Sequence, residues 1–161
     1  MRLLVGEEAK EGIVFMLRAA EVAREATCER RKCGSVLVFD NKVISWGMNS
    51  PPNELESQRR CSCEKGSYHS KVTDKTCCIH AEQRAIINGI RWKPKKVPGS
   101  QLYFASVDEN GEPLRSGQPY CTICSKLALD EKVADFRLWH QEGIGVYTTE
   151  EYNTLSFKFQ G

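Results

Sequence analysis

Two short patterns, His80-Ala81-Glu82 and Cys121-Thr122-Ile123-Cys124, constrain this chain more than anything else in its 161 residues. Imidazole and thiolate are donors that zinc prefers, and two cysteines three apart at the first turn of a helix can turn both sulfurs toward one ion. The helix dipole also favours the thiolate form there. His80 opens a second run of good helix formers, HAEQRAIING over 80–89, so the fold has to bring the starts of two helices together. Glu82, two residues past the histidine, falls beside such an ion without ligating it. A carboxylate in that place can collect protons and hand them on.

The chain holds eight cysteines, which in a small secreted protein would read as a disulfide framework. Residues 1–12 carry Glu7, Glu8 and Glu11 where a signal peptide needs an apolar stretch. The expectation is a cytoplasmic protein with reduced thiols, several of them on metal. No apolar run approaches the ~20 residues of a membrane span, and 40% hydrophobic with 27% charged residues is the balance of a globular chain. A formal net charge of +2 gives no electrostatic case for nucleic acid as a partner. The basic cluster Arg91, Lys93, Lys95 and Lys96 reads as a solvated loop.

Residues 7–27 have Ile13, Leu17, Ala20 and Arg24 on one line with Val14 and Met16 alongside, which predicts an amphipathic helix with Gly12 as its one breaker. GSVLVF (34–39) and KVISWG (42–47), joined by Asp40-Asn41, read as a hairpin. Periodicity then disappears from Asn49 to Cys78, and a structureless loop of that length is uncommon unless something ties it down. Further helices are predicted over 80–89, stopped by Gly89, and over 121–129. Strands are predicted over 101–107, 136–140 and 145–148, with a turn-rich insertion near 108–117. A last helical turn opens at Glu150-Glu151 and carries Tyr152 and Leu155. This alternation predicts one α/β sandwich spanning 1–161, with a mixed central sheet of about five strands flanked by helices.

His-x-Glu followed by Cys-x-x-Cys is the signature of zinc deaminases acting on nucleobases. On these residues the chain resembles the cytidine and deoxycytidylate deaminase superfamily, and within it the deoxycytidylate (dCMP) deaminases. The segment Thr27-Cys28-Glu29-Arg30-Arg31-Lys32-Cys33-Gly34-Ser35-Val36 is similar to that family's passage from first helix to first strand. Trp46-Gly47-Met48-Asn49-Ser50-Pro51-Pro52 resembles its Gly-Tyr-Asn-Gly-Pro-Pro turn, and Leu102-Tyr103-Phe104 its strand toward the second zinc motif.

The resemblance implies conversion of dCMP and water to dUMP and ammonia. It implies zinc on His80, Cys121 and Cys124, hydroxide on that zinc as nucleophile, and Glu82 as proton shuttle. It further implies Asn49 on the sugar or phosphate, Ala81 and the backbone near Tyr120 along the base, and Arg30 or Arg31 against a phosphate. A second, structural zinc would draw on Cys28, Cys61, Cys63, His69, Cys77 and Cys78. The implied partners are a small-molecule nucleotide and further copies of the chain. Cys33 is expected to be an ordinary buried thiol, His140 structural, and Trp46, Trp92 and Trp139 core or interface.

Three departures bear on the substrate. Tyr120 separates Pro119 from the first ligand cysteine, residues 108–118 are inserted beside the second zinc motif, and Met48 and Ser50 replace Tyr and Gly in the turn. Two rival readings therefore stand beside dCMP. One is the same chemistry on free cytidine, a modified base, a guanine-like ring or a tRNA base. The other is a zinc-stapled binding module without catalysis, although such a module has no use for Glu82.

Overall fold

The computed structural model describes residues 1–115 and 117–160. In chain order the elements are β1 (Arg2–Leu3), α1 (Gly6–Arg24), β2 (Lys32–Phe39), β3 (Lys42–Met48), α2 (Ala81–Trp92), β4 (Gln101–Val107), β5 (Pro113–Leu114), α3 (Thr122–Asp130), β6 (Asp135–His140), β7 (Gly143–Thr148) and α4 (Thr149–Phe157). The strands form one mixed sheet in the order β1-β7-β6-β4-β2-β3, with β5 paired to β4. Among the described residues only β4 and β6 pair in parallel, and α3 makes the crossover between them. The sheet has seven strands rather than about five. The two extra ones, β1 and β5, are two residues each, too short to leave an alternation in the sequence.

Alternating side chains divide the core by face, as a pleated strand requires. Val36 and Val38 of β2, Tyr103 and Ala105 of β4, and Ile144 and Val146 of β7 bury against α1. Leu37, Leu102, Phe136, Leu138 and Tyr147 point the other way and pack with α2, α3 and α4. Helix α1 therefore lies on one face, and the two helices carrying the zinc-type motifs lie on the other. The β2–β3 hairpin closes through Asp40 and Asn41, both with positive φ (48° and 56°), the conformation that a two-residue turn of matching twist needs.

Helix α1 buries Gly12, Met16, Ala19, Ala20, Val22 and Ala23, and leaves Ile13, Val14 and Leu17 exposed. Four of these six buried residues are glycine or alanine, which lets the helix lie very close to the sheet. A Cβ at Gly34 would come 2.3 Å from the Ala19 carbonyl oxygen and 2.4 Å from the Ala23 nitrogen. Gly89 is not a stop: α2 continues to Trp92, and the glycine provides clearance where a Cβ would meet Leu37, Ser45 and Val97 at 3.0 Å.

The aperiodic stretch holds three single turns of 3-10 helix at 52–54, 56–58 and 65–67. Its ends are pinned by a bridge between Ser50 and Ile79. In the 108–118 insertion, Asp108 Oδ1 accepts from the backbone of Asn110 and Glu112, and Ser116 lies outside the described residues. Trp139 is buried, whereas Trp46 and Trp92 are half exposed with rings 4.9 Å apart. His140 Nε2 lies 2.9 Å from the Tyr147 hydroxyl.

The α1–sheet approach predicts that Gly34→Ala destabilises the fold by about 1–3 kcal/mol, since the obstructing atoms are backbone and have no rotamer to change. Thermal denaturation should show a fall of several degrees, at roughly 2–4 °C per kcal/mol for a chain of this size. An unchanged melting temperature would mean that α1 sits further from β2.

Candidate active site and metal centre

Sequence places His80 at the N-cap of α2, with extended backbone angles (φ −69°, ψ 151°). Its own N–H donates to Gln83 Oε1 at 3.1 Å, which satisfies one of the free groups at a helix start. Cys121 occupies the same position on α3, where its sulfur accepts from the backbone N–H of Cys124 at 3.4 Å. Because α2 and α3 lie on the same side of the sheet, these two helix starts converge. His80 Nδ1 lies 3.2 Å from Cys121 Sγ and 3.3 Å from Cys124 Sγ, and the sulfurs are 3.1 Å apart. Three donors this close together match the demand of one ion bound at ~2.0–2.3 Å.

Their electrostatics are interdependent. The hydrogen bond to Cys124, followed by that to His80, pulls the Cys121 thiol down to about 4. Cys124 is pushed well up by its bond to Cys121 and by burial. The bond to Cys121 raises His80 to about 9. Glu82 is buried, with 6% of its surface exposed, and burial raises its carboxyl to about 7. Among the described residues it has no cationic partner within salt-bridge range. A carboxylate held this deep without a counter-ion costs stability, and such sites cluster where chemistry is done.

A cavity of about 230 Å³ opens onto His80, Ala81 and Glu82 and is walled by Asn49, Phe104 and Tyr120. Asn49 is buried, with Oδ1 accepting from the Cys33 N–H at 2.8 Å and Nδ2 donating to the Arg31 carbonyl at 2.9 Å. It thereby fixes the start of β2 against the cavity. Tyr120 is half exposed, its ring centroid 5.7 Å from that of Phe159. Arg30 and Arg31 line the cavity, as do Arg60, Lys65 and Lys75. These last three were not singled out from sequence, and Phe104 was named there only as part of a strand. Their charges are legible there, but the loop that carries them has no period from which to place them. Cys33 is buried, and burial pushes its thiol up to about 12, as fits an inert thiol.

A second cluster borders the same cavity. The sulfurs of Cys28, Cys61 and Cys78 all lie within 4.8 Å of one another, and Cys77 Sγ is 3.5 Å from Cys61 Sγ. Cys77 Sγ also accepts from the Arg60 N–H at 2.9 Å. Two arginines lace the loop to the helix exit. Arg30 donates to the carbonyls of Cys61 and Cys63, each at 2.7 Å, and Arg59 to that of Thr27 at 2.6 Å. Of the six residues expected from sequence, Cys63 and His69 stand outside this cluster. Cys63 is exposed, and His69 Nδ1 accepts from the Lys71 N–H.

Residues 10–138 match the family model for the cytidine and deoxycytidylate deaminase zinc-binding region. The deoxycytidylate deaminase of Schizosaccharomyces pombe is 32% identical over 80 residues, covering 48% of this chain and 25% of that protein. The Saccharomyces cerevisiae deoxycytidylate deaminase is 31% identical over 78 residues, with the same coverage of 48% and 25%. The match thus spans about a quarter of the length of these curated relatives.

Among solved structures, the dCMP deaminase of cyanophage S-TIM5, in complex with dCMP and dUMP, shares the fold with a TM-score of 0.57. Its identity is 22%, over 83% of this chain and 82% of that one. A cytidine deaminase from Burkholderia pseudomallei gives a TM-score of 0.55 at 16% identity, over 87% and 94% of the two chains. No helix of the described residues is long and apolar enough to cross a membrane. With most of its length inside the family model, the chain belongs to the cytidine and deoxycytidylate deaminase family.

Proposed function

We propose that the chain hydrolyses dCMP to dUMP and ammonia, with a zinc ion on His80, Cys121 and Cys124 and with Glu82 moving the protons. The observation that carries this reading is the buried Glu82 carboxyl, which shares a cavity with a group of three metal donors among the described residues. A structural zinc takes four protein ligands, whereas a catalytic one keeps a position open. When bound, zinc would supply Lewis acidity toward a water molecule, bringing its acidity toward neutrality.

Glu82 then has two tasks. It takes the two protons of the water in turn as its oxygen bonds to the ring carbon bearing the amine, passing one to the ring nitrogen and the other to the departing nitrogen. Atoms balance as dCMP plus water giving dUMP plus ammonia. Burial excludes bulk water from this exchange, so the protons stay between carboxyl and substrate. Ala81, with no exposed surface, leaves room for a flat ring beside the carboxyl, and Phe104 and Tyr120 offer apolar walls.

The nucleotide reading is supported by charge. Arg30, Arg60, Lys65 and Lys75 line the cavity and make no ion pair among the described residues. Arg31 faces the cavity too, with Nη2 donating to Ser106 Oγ. Cations gathered around a small cleft raise the local concentration of an anionic substrate, which a nucleoside does not exploit. The relatives named as deoxycytidylate deaminases point the same way.

The thiol cluster of Cys28, Cys61 and Cys78, with Cys77 as a fourth sulfur, fits a closed structural zinc site. Zinc there would tie the long loop to the exit of α1 and so hold the cationic wall in place.

Ammonia release from dCMP should fall about 10²–10⁴-fold in Glu82→Gln while zinc content stays at the wild-type level. Full activity in that variant would remove the shuttle. Replacing Lys65 and Lys75 together by alanine should raise KM for dCMP about tenfold with kcat nearly unchanged. Deoxycytidine should remain a poor substrate for both proteins, and equal use of dCMP and deoxycytidine by the wild type would contradict phosphate recognition. Metal analysis should find two zinc ions per chain and one after Cys61→Ser, with the 50–78 loop then cut readily by protease. A single zinc in the wild type would make the second cluster a set of plain thiols.

A further inference from the structure

Tyr120 stands directly before the metal donor Cys121, where the deaminase signature has proline, and it borders two hollows at once. On one side is the catalytic cavity of about 230 Å³. On the other is a cleft of about 500 Å³ lined by Arg115, Gln118, His140, Gln141 and Phe159. Tyr120 and Arg31 are the two described residues common to both linings, so their side chains form the partition. The Tyr120 hydroxyl has no hydrogen-bond partner among the described residues, and its ring meets that of Phe159, with centroids 5.7 Å apart and planes at 45°. The residue therefore contributes to the fold through its ring.

Phe159 reaches Tyr120 because α4 is fastened to the helix that carries the metal donors. Ser125 Oγ on α3 donates to Asn153 Oδ1 on α4 at 2.8 Å. Tyr152 stacks on Phe136 with centroids 3.9 Å apart, and Ser156 Oγ donates to the Tyr152 carbonyl at 2.8 Å. The Lys158 N–H closes α4 on the Leu155 carbonyl at 3.0 Å, and the next residue turns its ring to Tyr120. Both rings are 46% exposed, and such a side chain alone is free to change rotamer. Contact between the two rings holds each of them in place.

We infer that Tyr120, with Phe159 as its positioning residue, is a specificity-determining wall that limits the substrate to a cytosine nucleotide without a bulky group on ring carbon 5. The inference rests on the dCMP reading. Deamination brings the amine-bearing carbon to the metal, so the pyrimidine edge lies nearer than the sugar or phosphate to the residue joined to Cys121. Of the two ring atoms beside that carbon, the nitrogen has to face Glu82 to receive its proton. Carbon 5 is left for the wall before α3. A small cavity with a fixed side rejects an added group by its volume, and the adjoining cleft offers room for that group once the wall is removed. The restriction is thus a property of this chain and not of the motif.

Ammonia release from dCMP and from 5-propynyl-dCMP, compared as a ratio of kcat/KM, tests this. The electronic effect of the substituent is common to every variant, and general damage to the fold lowers both rates, so only the wall moves the ratio. The wild type should prefer dCMP at least about a hundredfold. Tyr120→Ala should bring that preference within about tenfold, and Tyr120→Phe, which keeps the ring, should retain the wild-type ratio. Phe159→Ala should fall between, and added to Tyr120→Ala it should change nothing further, since it acts through the tyrosine. A wild type that takes both nucleotides equally would overturn the inference, as would a Tyr120→Ala protein active on dCMP and still as selective as the wild type. A wild-type ratio in Phe159→Ala would overturn it too, and that arm decides where Tyr120→Ala fails to fold. A wild type that releases no ammonia from dCMP would remove the proposed reaction, and this inference with it.

Discussion

His80 Nδ1 stands 3.2–3.3 Å from two sulfurs that belong to another helix, and most of the architecture serves that meeting. Helices α2 and α3 lie on the same face of the sheet, and α3 connects the parallel strands β4 and β6. Parallel strands need a crossover, so the chain returns over that face and presents the start of α3 beside the start of α2. Both starts bring unpaired N–H groups and the positive end of a helix dipole to one place. Thiolate is stabilised there, and Glu82, in the first turn of α2, is drawn under the surface with its carboxyl raised by burial.

The opposite face of the sheet solves a different problem. Helix α1 approaches β2 so closely that Gly34 has no space for a methyl group. Ala19 and Ala23, which face Gly34, permit this, while Ile13, Val14 and Leu17 lie on the outer side of the helix. Close packing there fixes where the chain leaves α1, and Cys28 to Arg31 follow immediately. The thiol cluster and the two arginines that lace the long loop are anchored at that exit. The position of α1 therefore reaches the cavity through Arg30, which holds the Cys61 and Cys63 carbonyls.

How much was legible in the sequence depended on period and on chemistry. Five strands were read at 34–39, 42–47, 101–107, 136–140 and 145–148 from their β-branched and aromatic residues, within two residues of their observed bounds, and Asp40-Asn41 was legible by its turn composition. His80, Cys121 and Cys124 were legible because metal donors at fixed offsets from helix starts have few other uses, and Glu82 because it lies two residues past one of them. What sequence missed had no local signal. The two-residue strands β1 and β5 are defined by partners far along the chain, and Gly89 reads as a helix stop unless Leu37 and Val97 are known to press on it. Lys65 and Lys75 look like any solvated cations in a polar loop, and Cys63 and His69 look as good as Cys61 and Cys78 until the loop is folded.

The most direct measurement is anomalous diffraction at the zinc edge from crystals of zinc-loaded protein. A metal held for catalysis should appear bonded to His80 Nδ1, Cys121 Sγ and Cys124 Sγ at ~2.0–2.3 Å. Its remaining position should face the cavity, and Glu82 should stand close by without ligating it. A metal absent from these three donors, or one whose fourth bond is filled by Glu82 or another side chain, would contradict a catalytic centre at the meeting of the two helices.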